Sequence, residues 1–251
     1  MVKKIFLLGG HDLEMAEIKH ILDERKIKYF DAGLSWENAQ LANYRDELEE
    51  YADDPMYVIY GVELREERPV MIPLNYYRVR HHNECINMPT SLEQVALLLD
   101  YPLTDRQKYI AANDRGYIPA MQAAGASPEE IAEIRRLDQM EQGITQIDID
   151  MAEQAILEKV VDGGVTIVKS LTKRFTSICD RMFPYNRLIV YCEDELVYYG
   201  EEMMNVANNF TSQVMTGNAY YGGGKEGYFS IKLQSEKDRT AYLDEILNLV
   251  K

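Results

Sequence analysis

Four short stretches of this chain carry residue types that bind cations or phosphate. Tyr76-Tyr77-Arg78-Val79-Arg80-His81-His82-Asn83-Glu84 sets two adjacent imidazoles at the end of an extended run, in a chain with only four histidines. Gly9-Gly10-His11-Asp12-Leu13-Glu14 places two carboxylates behind a glycine turn, and Gly61-Val62-Glu63-Leu64 ends an apolar run in an acid. Ala112-Asn113-Asp114-Arg115-Gly116-Tyr117 adds a further acid at the end of a helical segment. Carboxylate and imidazole donors suit a divalent ion such as Mn²⁺, and two such ions side by side can activate a water and neutralise phosphoryl oxygens. Asp12, Glu14, Glu63, His81, His82 and Asp114 are therefore expected to converge on one metal-and-phosphate site. No two of the stretches form a compact metal motif, so the fold has to do the gathering.

Each stretch also has a purely structural reading. Neighbours on a strand face opposite ways, which would make one of His81 and His82 a core residue and the other a surface one. Asp12 and Glu14 at a helix start complement the helix dipole, and Asp114 ahead of Gly116 fits turn chemistry. Gly222-Gly223-Gly224 fits a hairpin tip. The pairs Tyr76-Tyr77, Tyr198-Tyr199 and Tyr220-Tyr221 read as strand packing before base-stacking platforms.

The elements that must position these residues follow from periodicity. Ile5 to Leu8 is an apolar strand closed by Gly9-Gly10, and Met15, Ile18, Ile21 and Leu22 then mark one face of a helix over Glu14 to Lys26. Lys28 to Ala32 reads as a strand, Ser35 to Tyr51 as a helix, and Met56 to Tyr60 and Asn75 to Val79 as strands. Thr90-Ser91-Leu92-Glu93-Gln94 opens a helix, Thr104-Asp105 caps another over Arg106 to Ala112, and Ser127-Pro128-Glu129-Glu130 starts a third that runs to about Met140. A further helix is expected over Asp148 to Val160. Strands alternating with helices predict an α/β fold, a parallel sheet flanked by helices, in which ligands bind outside the carboxyl ends of the strands.

Asp162-Gly163-Gly164 breaks this pattern ahead of a strand at Val165 to Val168. A second, smaller α/β domain is expected from there, giving domains at 1–155 and 156–251 with a ligand cleft between them. Leu188 to Cys192 and Leu196 to Gly200 read as a hairpin, and Glu201 to Phe210 as a helix. Tyr228 to Leu233 reads as an alternating strand, and Lys237 to Leu249 as a closing amphipathic helix.

Composition narrows the partners. With 251 residues, 46% hydrophobic and 27% charged, the chain can bury an ordinary core. A formal net charge of −15 argues against long duplex nucleic acid as the main ligand, because such affinity rests on neutralising phosphates with Lys and Arg. A mononucleotide or short oligonucleotide held in a local basic pocket stays open. Cys85, Cys179 and Cys192 lack paired spacing and read as small buried hydrophobes. The apolar run Ile5 to Leu8 is too short for a signal segment or membrane span, so a cytoplasmic location without membrane contact is expected. A homodimer is left open.

The order of the motifs resembles the DHH phosphoesterases, the family of RecJ-type nucleases, small-oligonucleotide phosphodiesterases and inorganic pyrophosphatases. Gly10-His11-Asp12-Leu13-Glu14 falls on the family's H-x-D-x-D strand end, Glu63 on its second-strand Asp, Arg80-His81-His82 on its Asp-His-His triplet, and Asp114 on its helix-end Asp. Gly222-Gly223-Gly224-Lys225 resembles the GGGH segment of the DHH-associated domain that follows in many members. The resemblance implies that Asp12, Glu14, Glu63, His81 and Asp114 bind Mn²⁺ or Mg²⁺, and that His82 and Asp114 serve catalysis. It further implies that Arg80, Arg115, Gly222, Gly223, Gly224 and Lys225 hold a small phosphorylated substrate. Five positions depart from the pattern: Gly10 replaces the first histidine, Glu14 and Glu63 replace aspartates, Arg80 replaces the triplet Asp, and Lys225 the last histidine. A fixed guanidinium repels a second divalent ion and attracts phosphate, which leaves two ions, one ion, or a metal-free phosphate sensor as outcomes.

Overall fold

β1 (Lys3–Leu8) supplies four consecutive buried residues, Ile5, Phe6, Leu7 and Leu8, as a central strand covered on both faces requires. It pairs in parallel with β2 (Lys28–Asp31) on one side and β3 (Tyr57–Val62) on the other, and β4 (Tyr76–Val79) adds to β3, so the sheet order is β2-β1-β3-β4. In the computed structural model the residues described are 2–66, 70–223 and 227–251, with Glu37 described by its backbone alone.

Between β1 and β2 lies α1 (Leu13–Glu24), which buries Leu13, Met15, Ile18, Ile21 and Leu22 along one stripe. The face of the sheet formed by Ile5, Leu7, Ile59 and Tyr76 is covered by Leu41, Tyr44, Leu48 and Tyr51. The helix expected over Ser35 to Tyr51 is present only in its last part, α2 (Arg45–Tyr51); before it come two separate 3₁₀ turns, Trp36–Asn38 and Leu41–Tyr44. Tertiary pairing overrides helical periodicity there. Ala39 accepts from the Arg65 N–H (2.9 Å), and the Leu41 N–H donates to the Arg65 carbonyl (2.8 Å), which pulls the chain straight between the turns.

Gly61 shows how tightly the sheet edge is packed. A Cβ there would fall 2.0 Å from the Tyr76 hydroxyl, because the Tyr76 ring lies across the neighbouring strand over the glycine. Gly61→Ala is expected to destabilise the fold by about 1–3 kcal/mol through overpacking, read as a lower denaturation midpoint. A Gly61→Ala, Tyr76→Phe double variant should recover part of the loss, since the clash is with the hydroxyl first.

Packing groups the chain into two units, Met1–His81 with Asn87–Asp114, and His82–Ile86 with Arg115–Lys251. The first unit is completed by α3 (Ser91–Leu98) and the first part of α4 (Asp105–Ala123). Backbone angles break α4 at Gly116 and Tyr117, the latter at φ 59°, ψ −146°, a conformation that side chains avoid. Residue 155, the expected boundary, lies inside the second unit, which takes the greater share of the chain instead of the smaller one. The reason is that α5 (Pro128–Glu141) and α6 (Gln146–Leu157) pack against the later elements: Ala152 and Ala155 are buried with Val168, Ile178, Leu188 and Val190.

The second sheet is mixed. β5 (Val160–Asp162) and β6 (Val165–Lys169) form a hairpin, so Val160 sits in a strand and not at the end of the preceding helix. After α7 (Thr176–Met182) come β7 (Arg187–Tyr191) and β8 (Glu195–Gly200), then α8 (Met203–Asn209), α9 (Thr211–Met215), β9 (Ala219–Gly222), β10 (Tyr228–Lys232) and α10 (Glu236–Val250). The order is β5-β6-β7-β8-β10-β9. Alternation sorts its faces: Ile189, Leu196, Tyr198, Phe229 and Ile231 pack on α8 and α10, while Leu188, Val190 and Val197 face α6 and α7. Among the described residues no helix is long and apolar enough to cross a membrane.

Candidate metal centre

Register brings the carboxyl ends of the first sheet to one level. Leu8 pairs with Asp31 and with Val62, and Val62 pairs with Val79, so the residues following β1, β3 and β4 emerge together. Beyond Leu8, Gly9 and Gly10 turn the chain into α1, whose cap is Asp12: the Met15 N–H donates to its Oδ1 at 2.8 Å. Glu63 follows β3 directly with φ of +50°, a left-handed backbone that an L side chain adopts at a cost of about 1–3 kcal/mol. Its own N–H still donates to the Val79 carbonyl at 2.9 Å.

His81 sits at the centre of four acids and is 3% exposed. Its Nε2 is 3.9 Å from Glu14 Oε2 and 3.8 Å from Glu63 Oε1, and it contacts Asp114 Oδ2 directly. Glu14 is anchored from the far side by the Leu92 N–H, which donates to Oε1 at 2.9 Å. Glu63 Oε1 accepts from the Ser91 hydroxyl and from the His81 N–H. Both anchors belong to the first turn of α3, whose start is fixed by a capping box between Thr90 and Glu93. The positive end of that helix therefore steadies two buried carboxylates.

The electrostatics call for a cation. Burial, together with the charges of Asp114 and Asp12, holds the Glu14 carboxyl well above the usual carboxylate range, against the pull of the Leu92 N–H. Burial works against a charged His81, yet Asp114, Glu63 and Asp12 outweigh it and raise the imidazole's pKa. Such a buried excess of negative charge is relieved by a proton or by a divalent ion. Glu14, His81 and Asp114 each offer a ligand atom within 4.8 Å of the others, so the residues present fit a metal ion. Glu63 lies next to this trio, and Asp12 is close enough for its charge to act on both Glu14 and His81.

Position 10 cannot contribute a side chain. Its φ is +79°, and a Cβ would fall 2.4 Å from the Trp36 indole, which lies against the glycine. His11, the neighbouring imidazole, is exposed and acts electrostatically on Asp31 at the end of β2. Arg80 is half-buried; its carbonyl accepts from Gln94 Nε2 at 3.0 Å and its charge is felt at the Tyr76 hydroxyl. The charges that dominate at Glu14 and His81 are those of the acids.

The remaining candidate residues belong to the second unit. His82 Nδ1 lies 2.8 Å from where a Cβ on Gly222 would stand, so the imidazole meets the backbone of β9 in a space only glycine leaves. Asn83 Oδ1 accepts from the Tyr221 N–H at 3.0 Å on the same strand. Gly223 has φ of +79° just past the β9–β10 ladder, while Arg115 is exposed beside the break in α4. Gly224 and Lys225 lie outside the described residues. Sequence reasoning found α3 as a helix but missed Ser91 and the Leu92 N–H as supports, and it missed Trp36 beside Gly10. The capping box at Thr90 fixes where the helix begins; nothing local says where it points.

The chain thus combines an all-parallel sheet, with an acid and imidazole cluster at its strand ends, and a second, mixed α/β sheet, and this fold has solved counterparts. The chain is similar over 98% of its length to a DHH-domain protein described as a member of a ribosomal-protein family, covering 87% of that chain at a TM-score of 0.53 with 11% identity. Two further structures align over 98% of both chains at lower scores. They are a pGpG-specific phosphodiesterase, PggH, from Vibrio cholerae (TM-score 0.43, 9% identity) and an uncharacterized protein from Helicobacter pylori (TM-score 0.31, 8% identity). No protein-family model matches the chain, and no curated protein does.

Proposed function

We propose that this chain is a divalent-metal-dependent phosphoesterase acting on a small phosphorylated substrate such as a nucleotide or short oligonucleotide. The observation that carries this reading is the buried Glu14, His81 and Asp114 cluster, with Glu63 beside it, at the carboxyl ends of the parallel strands. Glu14, His81, Asp114 and Glu63 would hold Mn²⁺ or Mg²⁺, with Asp12 adding charge at the helix cap. When bound, the ion supplies Lewis acidity to a phosphoryl oxygen and lowers the pKa of a coordinated water. The chain's own part is orientation. Leu92 N–H and the Ser91 hydroxyl fix Glu14 and Glu63, so these donors need little reorganisation when an ion enters.

The test begins with metal content. Protein dialysed against Mn²⁺ is expected to retain ion by elemental analysis and to hydrolyse bis(p-nitrophenyl) phosphate, and chelation should remove both properties. Retention of no ion together with no turnover sinks the enzyme reading. A second reading, a non-catalytic relative that binds a nucleotide or phosphate as a sensor, is favoured by one observation: the Trp36 ring takes the space beside Gly10. Thermal stabilisation by nucleotides without turnover supports that alternative, since a ligand that binds only the folded state raises its stability by mass action.

A further inference from the structure

We propose that Trp36 is the stacking platform for a nucleobase, so that the phosphorylated substrate of this site carries a base; the inference rests on the phosphoesterase reading above. Trp36 is the only tryptophan in the chain and remains 40% exposed, although a large aromatic gains most by burial. It stands in the 3₁₀ turn that follows β2, and the carboxyl end of β2 is level with those of the strands that lead into the acid cluster. One part of the indole lies on Gly10, two residues before Asp12, and that separation spans at most about 7 Å of chain. A base resting on the ring and a phosphate at the acid cluster are thus placed on the scale of a single nucleotide.

The platform is also built to stay in place. The Asn38 N–H donates to the Ser35 carbonyl at 2.9 Å and Asn38 Nδ2 to Ser35 Oγ at 3.1 Å, closing the turn that holds Trp36. Asn43 Nδ2 donates to the Asn38 carbonyl at 2.8 Å, tying the turn to the next one. On the ring's inner side Gly10, with no Cβ and φ of +79°, lets the indole approach the backbone. A fixed aromatic face stacks on any base without reading its hydrogen-bonding edge, which predicts preference for nucleotides over sugar phosphates but tolerance among the bases.

The single tryptophan makes the test direct, because the protein's indole emission reports Trp36 alone. Mn²⁺-loaded protein is titrated with adenosine monophosphate, with cytidine monophosphate and with ribose 5-phosphate, following fluorescence and, separately, heat. Both nucleotides are expected to quench the emission with saturation and to bind more tightly than the sugar phosphate. Trp36→Ala should weaken nucleotide binding by about tenfold or more while leaving ribose 5-phosphate binding unchanged, and Trp36→Phe should restore part of the loss. Equal affinity of the wild type for nucleotides and ribose 5-phosphate, or a Trp36→Phe variant that binds both alike, overturns the platform and leaves the phosphoesterase reading standing. Binding of neither ligand by the metal-loaded protein removes that reading, and the platform with it.

Discussion

His81→Ala and Asp114→Ala are each expected to reduce Mn²⁺-dependent phosphodiester hydrolysis by at least about 100-fold. Groups that merely support a metal ligand are worth about 10- to 100-fold in affinity or activity, and these two residues offer donor atoms themselves. Their contact with each other makes the effects interdependent, so the double variant should lose far less than the product of the single losses. Ser91→Ala provides the graded control. It removes the hydroxyl that donates to Glu63 and leaves the donor set intact, so its loss should fall near the lower end of that range. Bound metal measured beside turnover separates the cases. If the His81→Ala and Asp114→Ala proteins keep both their ion and their activity, the cluster is not the metal centre.

The second large effect concerns stability and lies in the second unit. Arg135 is buried, with Nε donating to Asp180 Oδ1 at 3.0 Å, Nη1 to Asp138 Oδ2 at 2.7 Å, and its guanidinium 4.5 Å from the centre of the Tyr117 ring. Asp180 also accepts from the Tyr117 hydroxyl and from Gln139 Nε2. Burial alone would disfavour the arginine's charge, and the two aspartates more than compensate. Arg135→Met keeps much of the apolar stem but leaves buried Asp138 and half-buried Asp180 without their cation. The expected loss is about 3–5 kcal/mol, read as a shift in denaturation midpoint of the transition reporting this unit. Arg135→Met with Asp180→Asn should cost less than the sum of the two single changes. An Arg135→Met protein that unfolds with the wild type would show that the network is ornamental. The same network grips Tyr117, the residue whose backbone lies in an avoided region, which gives that strain a source of support.

Much of the fold was legible because local patterns carry it. Four apolar residues in a row announced β1, and S/T-x-x-E signatures announced the starts of α3 and α5. Where a segment's partners lay far along the chain, local periodicity misled: Ser35 to Tyr51 breaks into two 3₁₀ turns and a short helix because Ala39 and Leu41 bond to Arg65. Val160 reads as the end of a helix and is drawn into a hairpin with Ile167.

For the candidate site the division is similar. The sequence by itself determined which side chains end the strands and cap the helices, since glycine turns and hydrophobic alternation place Asp12, Glu63 and His81 just past apolar runs. Only the tertiary structure decided which of them meet. Parallel register set the strand ends level, α3 brought the Leu92 N–H to Glu14 across 78 residues, and Trp36 came to lie on Gly10. The physical reason is that periodicity encodes which face of an element is buried, whereas the neighbour that covers the face is selected by packing of the whole chain.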